Sequence, residues 1–168
     1  YQTTSKELIQ DLEGKIDILV AGMGSGGTIT GIAKGLKEFD DNIKIIGVEP
    51  SGCPYYSKQL IGKYNIPGIG TTFMPSIVDM SLIDDMMEIT DEDAKKYMEI
   101  LAKEEGILAG YSSGAVLAGT IKYLKTNKKV KDFYENYSYT VSEAQTKKQK
   151  DYNKKLNAPK KKSKERSK

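Results

Sequence analysis

The sequence contains no histidine and only one cysteine, Cys53, among its 168 residues. Without histidine, neither a Ser-His-Asp or Cys-His catalytic relay nor a histidine-ligated zinc site can form. A single cysteine excludes an internal disulfide and a cysteine-rich metal site, so we expect no metal. The sequence also lacks an apolar run long enough to span a membrane and a signal-peptide pattern at its start, which predicts a soluble, cytoplasmic protein. Any chemistry must therefore depend on a cofactor or on other side chains.

Charge is unevenly distributed along the chain. Residues 147–168 contain eleven Lys and Arg but two acidic residues, a net charge of +9, whereas residues 1–146 carry 15 basic and 21 acidic residues, a net charge of −6. Residues 126–168 also have few aliphatic side chains, which predicts a lysine-rich tail that is disordered or partly helical. Contact of this tail with nucleic acid or an acidic partner is the less favoured alternative. We expect residues 1–125 to form the folded domain.

A glycine-rich stretch at residues 22–31 is the strongest local signal. It follows a short apolar run, residues 16–21, which predicts a buried parallel strand. It leads into apolar residues spaced as one face of a helix, namely Ile29, Ile32, Ala33, Leu36 and Phe39. The stretch is therefore predicted to be a strand, a glycine loop and a helix.

Such a loop suits a phosphate group. The first backbone N–H groups of a helix have no intrahelical partner, and the positive end of the helix dipole lies at the loop. Glycines allow an anion to approach the main chain closely, and Ser25 and Thr28 each add a hydroxyl donor. The alternative is a tight turn that binds no ligand.

The glycine spacing also permits a dinucleotide. Gly22, Gly24 and Gly27 satisfy the G-x-G-x-x-G pattern, and Glu49 ends the next predicted strand, residues 43–49, where a ribose-binding acid would lie. No lysine follows the glycines, so the loop is not a P-loop. A dinucleotide-binding Rossmann-type domain is therefore a second hypothesis.

The remaining pattern predicts an α/β protein with an open parallel sheet and flanking helices. A strand, a helix and a strand of these lengths form a right-handed βαβ unit. Residues 62–81 are irregular, residues 85–89 are a predicted strand, and a helix follows Thr90. A second glycine-serine turn, residues 109–115, opens another helix, where Ser112 and Ser113 are most simply interpreted as N-caps. We expect both glycine turns to follow strands and to face one crevice.

Three motifs, taken in order, resemble a known family. Residues 24–31, Gly-Ser-Gly-Gly-Thr-Ile-Thr-Gly, resemble the phosphate-binding loop of the pyridoxal-phosphate enzymes of the tryptophan-synthase-β superfamily. Residues 68–75 resemble the Gly-Ile-Gly segment at the mouth of their active site, and residues 105–115 resemble their cofactor-ring turn. The resemblance is to cysteine synthases and cystathionine β-synthases in particular, and it covers residues 1–125. It implies part of a fold-type-II pyridoxal-phosphate enzyme.

The resemblance also implies site residues and an activity. The cofactor, pyridoxal 5'-phosphate, would contact Gly24, Ser25, Gly26, Gly27 and Thr28 through its phosphate and Ser112 through its pyridine nitrogen. Gly68, Ile69 and Gly70 would lie at the substrate mouth. The implied reaction is β-replacement on O-acetylserine or serine by sulfide or a thiol, which yields cysteine. The implied partners are a second copy of the chain and, by analogy, a serine acetyltransferase.

One part of the family pattern is missing. The lysine that forms the Schiff base and the loop that binds the substrate carboxylate belong to an N-terminal half, and this chain starts after both. No catalytic residue is therefore assigned, and we expect the isolated chain to be inactive. An inactive remnant, or an interaction module that keeps the loop only as part of its fold, is the alternative.

Overall fold

The computed structural model describes residues 3–127, so the predicted tail lies outside the described residues apart from its first two positions. Residues up to Tyr123 form one compact unit. Its helices are α1 (Thr4–Asp11), α2 (Gly27–Phe39), α3 (Tyr55–Lys58), α4 (Asp91–Glu104) and α5 (Tyr111–Thr126), and its strands are β1 (Ile18–Gly22), β2 (Lys44–Pro50) and β3 (Asp85–Ile89). A short 3-10 helix, Met80–Leu82, precedes β3. The three strands begin and end within two residues of their predicted bounds.

The strands form an open parallel sheet in the order β1-β2-β3, which confirms the predicted fold class. Gly22 at the end of β1 lies opposite Val48, and Pro50 at the end of β2 lies opposite Ile89. The central strand β2 is buried from Ile45 to its end, whereas β1 is only partly buried along its length. The prediction that β1 is a buried strand is therefore wrong. Within residues 3–127, β1 pairs with β2 alone, so one of its edges has no neighbouring strand.

Helices cover both faces of the sheet. One face carries α2, whose apolar side packs with Ile45 of β2, and the other face meets α5, where a Cβ added to Gly119 would lie 2.7 Å from Val48. Because successive strand residues point to opposite faces, Ile45 and Val48 lie on opposite sides of β2. The predicted apolar face of α2 is confirmed except at Phe39, which is 50% exposed at the helix end.

Asp84, just before β3, connects three elements through one carboxylate. Its oxygens lie 2.9 Å from Nζ of Lys44 and 3.2 Å from Nζ of Lys37, and one of them accepts a 2.9 Å hydrogen bond from the backbone N–H of Ile45. Partial burial raises the pKa of Asp84, but the hydrogen bonds from Lys44, Ile45 and Lys37 outweigh it and leave the pKa below its ordinary value.

We expect Asp84→Asn to destabilise the chain by about 1 kcal/mol at neutral pH, because two ammonium groups lose their partner. Because the pKa of Asp84 is lower in the folded state, its ionised carboxylate stabilises the fold. This stabilisation is complete above the unfolded-state pKa of about 3.9 and disappears as the pH falls through the folded-state pKa. The difference in unfolding free energy between wild type and variant should therefore shrink below about pH 4. Urea titrations across pH 2.5–7 measure it.

The neighbouring exposed Asp85 provides the control. Its side chain accepts a hydrogen bond from the adjacent N–H of Met86, and the structure shows no ion pair to it among residues 3–127. Asp85→Asn should change stability little over the same pH range. Equal losses in both variants would contradict the role given to the Asp84 ion pairs.

Candidate functional site

The glycine loop connects the carboxyl end of β1 to the start of α2. Strand β1 ends at Gly22 and helix α2 begins at Gly27, so residues 23–26 make the turn. Gly26 is the N-cap residue, with a left-handed φ of 76°, and no side chain caps the helix. The first N–H groups of α2 thus have no intrahelical acceptor, while the side chains of Ser25 and Thr28 are exposed at the same end. This arrangement suits a bound anion.

Other parts of the chain lie closely against this loop. A Cβ on Gly26 would overlap the side chain of Val78, and a Cβ on Gly24 would lie 2.8 Å from the carbonyl oxygen of Gly68. At Gly27 the nearest side-chain atom, Cδ1 of Ile77, would be 3.7 Å away. Close packing therefore requires glycine at positions 24 and 26, whereas the start of α2 stays accessible. A phosphate group fits these residues.

The second predicted motif lies directly against the first. The backbone N–H of Gly70 donates a 2.7 Å hydrogen bond to the carbonyl oxygen of Met23. The side chain of Ile69 is buried over Gly22, where an added Cβ would be 2.6 Å from its Cγ2. The structure therefore brings residues 68–70 and the glycine loop together, although they are more than forty residues apart in sequence.

Tyr56, which the sequence did not indicate as a site residue, contacts the glycine loop through its hydroxyl. Its hydroxyl donates a 2.7 Å hydrogen bond to the carbonyl oxygen of Gly24, and the side chain is 6% exposed. Burial raises the pKa of Tyr56, and the negative charge of Glu49 raises it further, so the hydroxyl keeps its proton. A proline at position 54 favours the start of a helix there, but nothing in that local pattern relates Tyr56 to a glycine 32 residues earlier.

Glu49 has a structural position in this arrangement. It is fully buried, and its carboxylate oxygens accept hydrogen bonds of 2.8 Å and 3.0 Å from the backbone N–H groups of Tyr56 and Ser57. The dinucleotide hypothesis needs this carboxylate to bind a ribose. In the structure it binds the start of α3 instead.

The third predicted motif is placed differently from our expectation. Helix α5 begins at Tyr111, so Ser112 and Ser113 lie inside its first turn and the N-cap interpretation is wrong. Residues 106–110 connect α4 to α5 without a strand, so the expected strand before this turn is also absent from the described residues. Ser112 is half-buried, one turn before Val116 on the same helix face. A Cβ on Gly22 would lie 3.5 Å from Cγ2 of Val116, which brings α5 to the start of the glycine loop.

Among residues 3–127, no group of three or more acidic or cysteine side chains could hold a metal ion. Within the same residues, the structure contains no helix with the length and apolarity needed to span a bilayer. Fold and loop together define a parallel α/β domain with an anion-binding type of loop after its first strand.

The chain matches the model of the family described as pyridoxal-phosphate dependent enzyme over residues 1–132. It therefore belongs to that family, and the family resemblance and the predicted cofactor are confirmed. The fold is part of that of a fold-type-II enzyme of this kind.

Within this family, the chain is similar to enzymes named for cysteine or cystathionine synthesis and for hydrogen sulfide production. Over 129 residues the chain is 42% identical to cystathionine beta-synthase of Apis mellifera, covering 74% of this chain and 26% of that protein. It is 42% identical to cysteine synthase B of Campylobacter jejuni, covering 68% and 38%. The crystal structure of a hydrogen sulfide-producing enzyme from Fusobacterium nucleatum superposes with a TM-score of 0.74 at 42% identity, covering 76% of this chain and 43% of that one. The chain thus spans less than half the length of each of these relatives.

Proposed function

We propose that this chain forms the phosphate-binding part of a pyridoxal-phosphate enzyme of β-replacement. Sulfide would displace acetate from O-acetylserine, or water from serine, to give cysteine, and a thiol in its place would give a thioether of cysteine. The observation that carries the proposal is the direct contact of two family motifs: the glycine loop and residues 68–70 are joined by the Gly70 to Met23 hydrogen bond. The names of its relatives, cysteine synthase B and cystathionine beta-synthase, support the same reaction class.

The chain's own groups then have distinct tasks. The N–H groups of residues 24–27 and the Thr28 hydroxyl bind the phosphate at the start of α2, where the helix dipole favours an anion. Pyridoxal phosphate, when bound, supplies the electron sink for loss and replacement of a β-substituent. The hydroxyl of Ser112 is neutral and does not hold a proton on the ring nitrogen as a carboxylate would, which favours replacement over transamination. Gly68, Ile69 and Gly70 border the substrate.

A lysine from the family's N-terminal half provides the covalent attachment, so residues 1–168 alone do not turn over substrate. The working assembly is a cytoplasmic homodimer, and a serine acetyltransferase is a partner by analogy. An inactive remnant with a retained loop, or a dinucleotide-binding domain, would be the alternative.

The test compares the full chain with the same chain joined to the N-terminal half of the Campylobacter cysteine synthase B. We expect the chain alone to bind pyridoxal phosphate reversibly, to give no stoichiometric adduct on a single lysine after borohydride reduction, and to make no cysteine from O-acetylserine and sulfide. The joined protein should bind the cofactor, give that stoichiometric adduct and make cysteine. Thr28→Ala should weaken cofactor binding about tenfold in both, because one hydrogen bond to a charged phosphate is lost. Fluorescence titration, mass spectrometry and a cysteine assay provide the measurements.

Thr120→Ala is the matched control, since its hydroxyl donates to the carbonyl oxygen of Val116 within α5. It should leave cofactor affinity unchanged. A stoichiometric adduct and turnover by the chain alone would contradict the assignment of the lysine to another segment. Binding of a nicotinamide dinucleotide, with none of pyridoxal phosphate, would favour the dinucleotide alternative.

A further inference from the structure

The hydrogen bond from Tyr56 to the glycine loop determines more than packing. The hydroxyl donates to the carbonyl oxygen of Gly24 at 2.7 Å, and that carbonyl belongs to the same peptide unit as the N–H of Ser25. In a trans peptide the C=O and N–H bonds point in opposite directions. Holding the Gly24 oxygen towards Tyr56 therefore turns the Ser25 N–H away from Tyr56. Since Tyr56 is buried and Ser25 is exposed, turning away from Tyr56 turns this N–H away from the buried side of the loop.

The tyrosine is itself held from several directions. Its backbone N–H is bonded to the buried carboxylate of Glu49, and its ring belongs to the apolar cluster that includes Met23 and Ile29. The hydroxyl also lies beside the turn residue, because a Cβ on Gly26 would be 3.5 Å from it. The position of the hydroxyl is thus determined by the end of β2 and the core, before any ligand binds.

We propose that Tyr56 is a positioning residue for phosphate recognition: its hydroxyl fixes the Gly24–Ser25 peptide so that the Ser25 N–H donates to a bound phosphate. A glycine on one side of this peptide allows it to rotate easily, so without the hydroxyl the N–H would spend part of its time turned away. Preorganisation of this donor reduces the cost of binding. The inference rests on the proposed function for the identity of the ligand, pyridoxal phosphate, but the geometry requires only a phosphate group.

The experiment uses the full chain and Tyr56→Phe, which keeps the ring and removes the hydroxyl. Three probes are titrated: pyridoxal phosphate, inorganic phosphate, and pyridoxal, which has no phosphate. We expect the variant to bind both phosphate-containing probes about tenfold more weakly and to bind pyridoxal as the wild type does. Tyr55→Phe, in the same short helix, is the control and should change none of the three affinities, because the structure shows no hydrogen bond from its hydroxyl among the described residues.

The Ser25 amide provides a readout that a merely structural role would not move. In the nitrogen-proton NMR spectrum of the wild type, inorganic phosphate should shift the Ser25 amide proton downfield, and in Tyr56→Phe the shift should be smaller. This measurement on the wild type also tests the proposal if the variant does not fold. An unmoved Ser25 amide at saturating phosphate, or equal loss of affinity for all three probes, would overturn the proposal. Binding of inorganic phosphate that weakens in Tyr56→Phe, with no binding of pyridoxal phosphate by the wild type, would support it and overturn the proposed function instead.

Discussion

Gly26→Ala is expected to destabilise the chain by about 2–4 kcal/mol and to abolish detectable pyridoxal phosphate binding. Gly26 has a φ of 76°, a region in which a residue with a Cβ is strained by about 1–2 kcal/mol. The added methyl group would also overlap the side chain of Val78. To relieve that overlap, either the glycine loop or the segment that contains Val78 must move. Movement of the loop displaces the N–H groups at the start of α2.

Two other glycines separate these effects. Gly106 has a φ of 69° with no atom within 4 Å of an added Cβ, so Gly106→Ala measures the backbone strain alone. Gly110 has neither a positive φ nor a near neighbour, so Gly110→Ala should lose only the preference for glycine over alanine before α5, less than about 1 kcal/mol. Urea denaturation of the three variants should give the order Gly26, Gly106, Gly110. A Gly26 variant no less stable than the Gly106 variant would show that Val78 yields freely and that the loop is not tightly covered.

Glu49→Ala should destabilise the chain by about 3 kcal/mol. The carboxylate is fully buried, and its removal leaves the N–H groups of Tyr56 and Ser57 without their acceptor in a buried space. For a domain of this size, that loss lowers the melting temperature by about 10 °C. Since Glu49 holds the backbone of Tyr56, the affinity for phosphate should also fall.

Glu88 provides a matched control one strand away. It is the register partner of Glu49 on β3, but it pairs with Lys58 at the surface through a side chain that is 24% exposed. Glu88→Ala should cost about 1 kcal/mol or less. Thermal melts of both variants provide the comparison. If Glu49→Ala left stability unchanged but removed binding of a dinucleotide, Glu49 would be a ligand-binding acid and not the structural acceptor described above.

Local patterns were sufficient for the order and type of the regular elements that carry the glycine loop. The apolar run that became β2 and the one-sided helix that became α2 were both predicted, because burial of an apolar face imposes a period of two or 3.6 on the sequence. The glycine loop was predicted for a related reason: Gly26 takes a φ of 76°, which glycine adopts without a steric penalty.

Placement within the sheet was not predictable in the same way. The run before the glycine loop is as apolar as the one that became β2, yet β1 is only partly buried and β2 is almost completely buried. Burial depends on how many strands pair with each one, which is a property of the assembled sheet. Likewise, Ser112 is a residue type that N-cap positions favour, and only the observed start of α5 at Tyr111 placed it inside the first turn.

The amino-acid order alone was enough to predict a parallel α/β domain with a phosphate-binding type of loop, because strand, glycine turn and helix are each encoded within a few neighbouring residues. Tertiary structure decided which distant groups support that loop. The contacts of Gly24 with Tyr56 and with Gly68, and of Met23 with Gly70, join residues that are 32 to 47 positions apart. Such contacts form only when the sheet brings the carboxyl ends of its strands together, and no local periodicity records them.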